Sequence, residues 1–139
     1  LQRETNPAQL ALLTRMSNSP LERLRAICLA LPHAHEVEAW GEPTFRVKNK
    51  LFAMYAAPTN HHGAGRHGVW LHCAAENQRQ LVASDPTRYF VPLYVGKSGW
   101  VGVWIDKRPR WRDVEALVRD AYMRTAPKRV LAELDRTKS

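Results

Sequence analysis

Apolar and polar residues alternate along three stretches of the chain. In Gly99–Asp106, Val101, Val103 and Ile105 fall on one side of an extended strand, with Trp100, Gly102 and Trp104 on the other. Val69, Leu71 and Cys73 alternate with Trp70 and His72, and Phe45 and Val47 alternate with Thr44, Arg46 and Lys48. The aliphatic sides suit a buried core. The opposite sides collect Trp, His, Arg and Lys, which predicts an antiparallel sheet with one face under helices and one face open.

Helical signals flank these strands. Ser19-Pro20-Leu21-Glu22 reads as a capping box with proline at the first helical position. Leu21, Leu24, Ile27, Cys28 and Leu31 follow at helical spacing, and Pro32 stops the run. Strands are predicted over residues 35–40, 43–48 and 50–56, the last two forming a hairpin that turns near Asn49. Residues 58–68 are polar and rich in Gly and His, and are expected to form a mobile loop. Residues 74–83 have a helical composition that Asp85-Pro86 breaks, and Pro92 makes 89–94 irregular. The longest helix is predicted over Trp111–Arg124, with Val114, Leu117, Val118, Ala121 and Tyr122 as its stripe. Thr125 is expected to cap a last helix that starts near Pro127 and carries Val130, Leu131 and Leu134. Residues 1–18 fit no later pattern and are expected to be a flexible arm or an upstream extension, with 19–139 as one domain. A helix, about five strands with one inserted helix, then one or two helices make an α+β fold: an antiparallel sheet with helices on one face.

Composition sharpens the functional question. The chain has 139 residues, long enough for a single domain with its own core, and a net charge of +8. The excess is concentrated: Pro43–Arg112 holds 11 Lys/Arg against Glu76, Asp85 and Asp106. A basic region attracts nucleic acid, an anionic membrane or an acidic partner. No apolar run approaches the roughly 20 residues of a membrane span. Cys28 and Cys73 form no metal or redox motif and are expected as buried thiols in a reducing cytoplasm.

Several segments, in order, resemble the MmcQ/YjbR family of small bacterial proteins. They are Trp40-Gly41-Glu42-Pro43-Thr44-Phe45-Arg46-Val47, Lys50-Leu51-Phe52-Ala53 and Asp85-Pro86-Thr87-Arg88-Tyr89-Phe90-Val91-Pro92. Tyr94-Val95-Gly96-Lys97-Ser98-Gly99-Trp100-Val101-Gly102-Val103, Asp120-Ala121-Tyr122 and Ala126-Pro127-Lys128 complete the set. The resemblance covers Ser19 to Leu134. It implies a CyaY-like (frataxin-like) sandwich and a family labelled as DNA-binding, with no catalytic residue to carry over. Frataxin-type proteins bind iron through an acidic first helix. Here Glu22 sits with Arg23 and Arg25, so that function is not expected, and no cofactor is expected.

Nucleic-acid binding needs cations for phosphates and flat partners for bases. Arg46, Lys48 and Lys50 lie in one hairpin, Lys97 precedes Trp100, and Arg66 lies in the polar loop. Lys107, Arg108, Arg110 and Arg112 follow the tryptophan strand. With Trp70, Trp100 and Trp104 these form the candidate interface, and the Lys48-Asn49-Lys50 turn and the His61 loop are candidate wings for a duplex groove. The expectation requires accessible indoles. The same open face could instead bind a planar small molecule, or pack against a second copy or another partner.

Metal and catalytic chemistry have weaker signals. His33 and His35 are spaced by one residue, and His61-His62 with His67 lie in a loop, but no zinc-ligand motif is present. His61 and His62 are expected to be solvated, and His33 and His35 to cap or pack at the end of the first helix. Gly96-Lys97-Ser98-Gly99 resembles a phosphate loop but precedes a strand, so it is read as a turn. Glu36 and Glu38 share a strand face and could form an acid pair, but a solvated strand edge is the better explanation. With no nucleophile elbow, the chain is expected not to be an enzyme.

Overall fold

The structure, a computed structural model, describes residues 19–137. The expectations for residues 1–18 lie outside the described residues. The chain opens with helix α1 (Pro20–Leu29), whose N-cap Ser19 Oγ accepts the Glu22 backbone N–H at 3.4 Å. Strands β1 (Ala34–Ala39), β2 (Glu42–Val47), β3 (Lys50–Ala56) and β4 (Gly68–Leu71) follow, then helix α2 (Ala75–Ser84). Strand β5 (Tyr89–Phe90), a 3-10 turn (Gly96–Ser98), strand β6 (Val101–Trp104) and helices α3 (Trp111–Thr125) and α4 (Lys128–Thr137) complete it.

The six strands form one sheet in the order β1-β2-β3-β4-β6-β5, with every neighbouring pair antiparallel. Both hairpins in β1–β3 turn on two residues with positive φ, Trp40-Gly41 (56° and 76°) and Lys48-Asn49 (49° and 65°). That is the pattern of a tight hairpin whose twist matches its strands.

The alternation holds. Phe45, Val47, Val69, Leu71, Val101 and Val103 face Leu24 and Cys28 of α1, Val114, Val118 and Tyr122 of α3, and Val130 of α4. Leu81 and Val82 of α2 pack on the same core, so all four described helices lie on one side. The register slips between Phe45/Ala53 and Arg46/Leu51, leaving Phe52 as the extra residue of a bulge. Phe52 joins the core and meets Tyr122 edge-on at 5.6 Å. The Tyr122 hydroxyl donates to the Pro32 carbonyl at 2.7 Å, tying α3 to the end of the first helical segment.

Four local expectations are corrected. The segment before Pro92 contains a sixth strand, β5, which two residues suffice to make and which is too short to show a period. Thr125 does not cap the last helix: it ends α3, and its Oγ1 donates back to Ala121 O at 2.8 Å. Trp100 lies outside β6, because Gly99 takes a φ of 98° where the 3-10 turn ends. Glu36 is neither paired with Glu38 nor simply solvated at the strand edge. Arg25 of α1 grips it with two hydrogen bonds of 2.8 and 2.9 Å, a fork that holds α1 to β1. Cys28 and Cys73 are buried free thiols.

Glycines decide how the other face packs. A Cβ on Gly102 would lie 2.2 Å from the Phe90 ring, and one on Gly68 would lie 3.2 Å from the Trp104 ring. Both rings therefore lie against bare backbone. Gly102→Ala is expected to lift Phe90 and to destabilise the fold by about 1–3 kcal/mol, the usual cost of overpacking. A denaturant titration checks this, and an unchanged midpoint would mean that Phe90 moves aside freely.

Candidate functional site

The register builds the open face in cross-strand rows. The middle row runs Val37, Thr44, Met54, Trp70 and Gly102, with Phe90 beside it. The row toward the β2–β3 turn holds His35, Arg46 and Leu51, with Trp100 beyond the start of β6. The opposite row holds Ala39, Glu42, Ala56, Gly68 and Trp104. No described helix covers this face, but the chain's own loops do.

Trp70 is only 2% exposed, so it is not the accessible stacking platform the sequence led us to expect. It packs with Met54 and Ala56, and Phe90, Val95 and Trp100 close around it. His62 meets its ring edge-on, with centroids 5.2 Å apart. The His62 imidazole is held by Glu42, whose Oε2 lies 3.1 Å from Nδ1 and also accepts the Ala57 N–H at 2.8 Å. Glu42 is 1% exposed, and the two partners of its Oε2, both in the connection between β3 and β4, offset the cost of burying the carboxylate. The expectation of a mobile loop with solvated histidines is thereby corrected. Residues 57–66 carry their own backbone hydrogen bonds, including Gly65 N–H to Pro58 O at 2.9 Å and Ala64 N–H to Asn60 O at 2.9 Å. His61 remains exposed and sits 3.1 Å from the Tyr94 hydroxyl.

Trp104 is half-buried and already occupied. Its ring stacks on Phe90 at 4.0 Å, and the Arg66 guanidinium lies 4.2 Å from its centroid. Arg66 in turn makes two hydrogen bonds to Asp106, at 3.0 and 2.9 Å. The Arg66 fork holds the Asp106 carboxyl below its ordinary range. Arg66 is thus a structural cation here, not a spare phosphate ligand. Trp100, also half-buried, stacks on His72 at 5.4 Å, and Gln78 Nε2 donates to its carbonyl at 2.7 Å. Burial, reinforced by the nearby Arg124 charge, pushes the His72 imidazole below its usual value.

What remains on this face is a cavity of about 220 Å³. Met54 and Trp70 form its floor, Val95 and Trp100 one wall, and His62 part of another, with Leu51 at the rim. Trp40 and Tyr94 flank it, 65% and 67% exposed. Both hold positive φ, 56° and 63°, where bulky side chains are uncommon. Trp40, Glu42, His62 and Tyr94 escaped the sequence reading as site residues. The Trp40-Gly41 turn between two strands and the aromatic beside Pro92 were the available signals.

The cations divide between the two ends of the sheet. Lys48 and Lys50 lie at the Val47/Lys50 end, where Lys97 also lies before β6. Lys107, Arg108, Arg110 and Arg112 follow Trp104 at the opposite end. All seven are exposed, and none makes an ion pair among the described residues. Arg46 is half-buried on the open face, with Nε donating to Thr44 Oγ1 at 3.3 Å. The expectation that indoles and cations share one surface is therefore corrected. Among the described residues no three His, Cys, Asp or Glu side chains are placed to hold a metal ion. His33 is instead 2.6 Å from Glu133 of α4.

Two outcomes check this account. Glu42→Ala strips the acceptor from His62 and Ala57, and is expected to cost about 1–3 kcal/mol. It should also speed amide hydrogen exchange across residues 57–66, and unchanged exchange would show that the loop does not need Glu42. Asp106 is depressed in the folded state, so its contribution is complete above the ordinary Asp value of about 3.9 and is lost as pH falls through the lower folded value. The stability gap between the wild type and Asp106→Asn should close across that window in a pH series of denaturation curves. A gap that does not change with pH would refute the assignment.

Comparison with known proteins fits the fold. A crystal structure of the Deinococcus radiodurans protein DR2400, which carries a DUF419 domain, superposes with a TM-score of 0.63 at 21% identity, covering 76% of this chain and 80% of that one. At that identity the likeness concerns the fold alone. No curated protein matches the sequence. The YjbR family model matches residues 29–124, which span β1 to nearly the end of α3 and so the whole sheet. The chain belongs to the YjbR family.

Proposed function

We propose that this protein binds nucleic acid through its phosphates, without reacting with it. The observation that carries the reading is the set of seven exposed cations that make no ion pair among the described residues, grouped as Lys48, Lys50 and Lys97 at one end of the sheet and Lys107, Arg108, Arg110 and Arg112 at the other. Each phosphate neutralised releases condensed counterions, and that entropy supplies the affinity. The DNA-binding label attached to the family points the same way. Arg66, Trp70 and Trp104 drop out of the interface, since each is engaged within the fold.

A binding role without chemistry accords with the buried thiols. Burial raises the pKa of both Cys28 and Cys73, and a protonated buried thiol is a poor nucleophile. Such thiols also suit a reducing compartment such as a bacterial cytoplasm. No described helix is long and apolar enough to cross a membrane.

Fluorescence polarisation with labelled duplex and single-stranded oligonucleotides tests the proposal across a salt series. Binding should weaken steeply with salt, with a log–log slope of about −0.9 per phosphate neutralised on duplex. Replacing Lys107, Arg108 and Arg110 with Ala, or Lys48, Lys50 and Lys97 with Ala, should flatten that slope by about 0.9 for each phosphate the variant no longer neutralises. No binding at low salt, or a slope that neither variant alters, refutes it.

A further inference from the structure

We propose that the cavity over Trp70 is a binding site for a flat, uncharged aromatic molecule of one or two rings that carries a hydrogen-bond acceptor on its edge. The site is distinct from the phosphate-binding ends and does not rest on them.

Size sets the first limit. At about 220 Å³ the cavity exceeds the roughly 150 Å³ apolar void that accepts benzene, and it falls short of the roughly 300 Å³ where drug-sized pockets begin. The lining sets the second. Met54, Trp70, Val95 and Trp100 offer apolar surface and ring faces, and no lysine, arginine, aspartate or glutamate among the described residues borders the space. A charged ligand would lose its hydration there without a partner.

The acceptor follows from one atom. Trp70 is almost wholly buried, and its indole Nε1 is the single buried side-chain polar atom without a hydrogen-bond partner among the described residues. A buried donor left unmatched is costly, so such groups are nearly always paired in folded proteins. This one belongs to the residue that floors the cavity. Less than 1 Å² of that atom is accessible, so a carbonyl or ring nitrogen on the edge of an aromatic ligand would satisfy it through a small turn of the indole as the ligand enters. His62 adds polarity beside it, since Nδ1 faces Glu42 while Nε2 has no protein partner among the described residues.

The rim fits the same purpose. Trp40 and Tyr94 are large aromatics held exposed on backbone that side chains of their size rarely adopt. Strained residues cluster where ligands are clamped. Tyr94 is further propped by His61 and lies edge-on to His62, with centroids 6.4 Å apart.

The test uses the full chain and two probes of similar shape, quinolin-2-one with an acceptor and naphthalene without one. Indole N–H resonances report binding, and Trp70→Phe identifies the Trp70 signal by its loss. Quinolin-2-one should shift that signal saturably and bind about tenfold more tightly than naphthalene. Trp70→Phe should bring the ratio of the two affinities to about one, whatever it does to the affinity for naphthalene itself. Leu51→Trp, which fills the cavity from its half-buried rim, should abolish both while leaving oligonucleotide binding unchanged. No saturable shift with either probe, or binding that survives Leu51→Trp, overturns the site. Equal affinities for the two probes in the wild type overturn the acceptor requirement.

Discussion

The open face depends on one buried contact, the Glu42 carboxylate against the His62 imidazole. A carboxylate removed from water is tolerable only when its oxygens are matched. Glu42 begins β2, and the partners it finds, His62 and the Ala57 N–H, both belong to the connection between β3 and β4. That connection is thereby folded back over Met54 and Trp70. Strands β3, β4 and β6 are apolar on both sides, which an antiparallel sheet with one wet face does not allow. Helices cover one side. On the other, the chain uses two loops, one gripped by Glu42 and one carrying Val95 and Trp100.

Two glycines then determine what kind of cover this is. Without Cβ atoms at Gly68 and Gly102, Trp104 and Phe90 lie flat and stack on each other. Arg66 covers the same ring and is itself fixed by Asp106, which closes the Trp104 end of the face. The middle has no such filling. Met54 and Trp70 lie beneath a gap that Trp40 and Tyr94 flank and do not fill.

Most of the sheet was legible because period-two alternation sorts residues onto faces whatever covers them later. The helix stripes and the hairpin turn near Asn49 were legible for the same local reason. Coverage is not a local property. Trp70 falls on the correct face in the alternation, yet nothing in residues 69–73 announces that a loop beginning at Ala57 will bury it. Arg66 looked like a spare cation because its partner, Asp106, lies 40 residues away. The same loop looked loose because Gly and His are its commonest signals, whereas its order comes from Glu42, which alternation alone treats as a turn residue. Of the candidate site, the exposed cations were legible and the cavity was not, because Trp40, His62 and Tyr94 converge only through tertiary contacts.

The division of charge has a physical consequence. Strand β4 alone, at four residues, spans roughly 10–14 Å between the two cationic groups. Salt at physiological strength screens exposed charges over about 8 Å, so the groups do not act as one joint field. A small anion meets either end separately and gains nothing from the other. A polyanion long enough to reach both gains through effective concentration, because the first contact tethers it near the second. Positive charge placed this way would favour an extended polyanion over a small one.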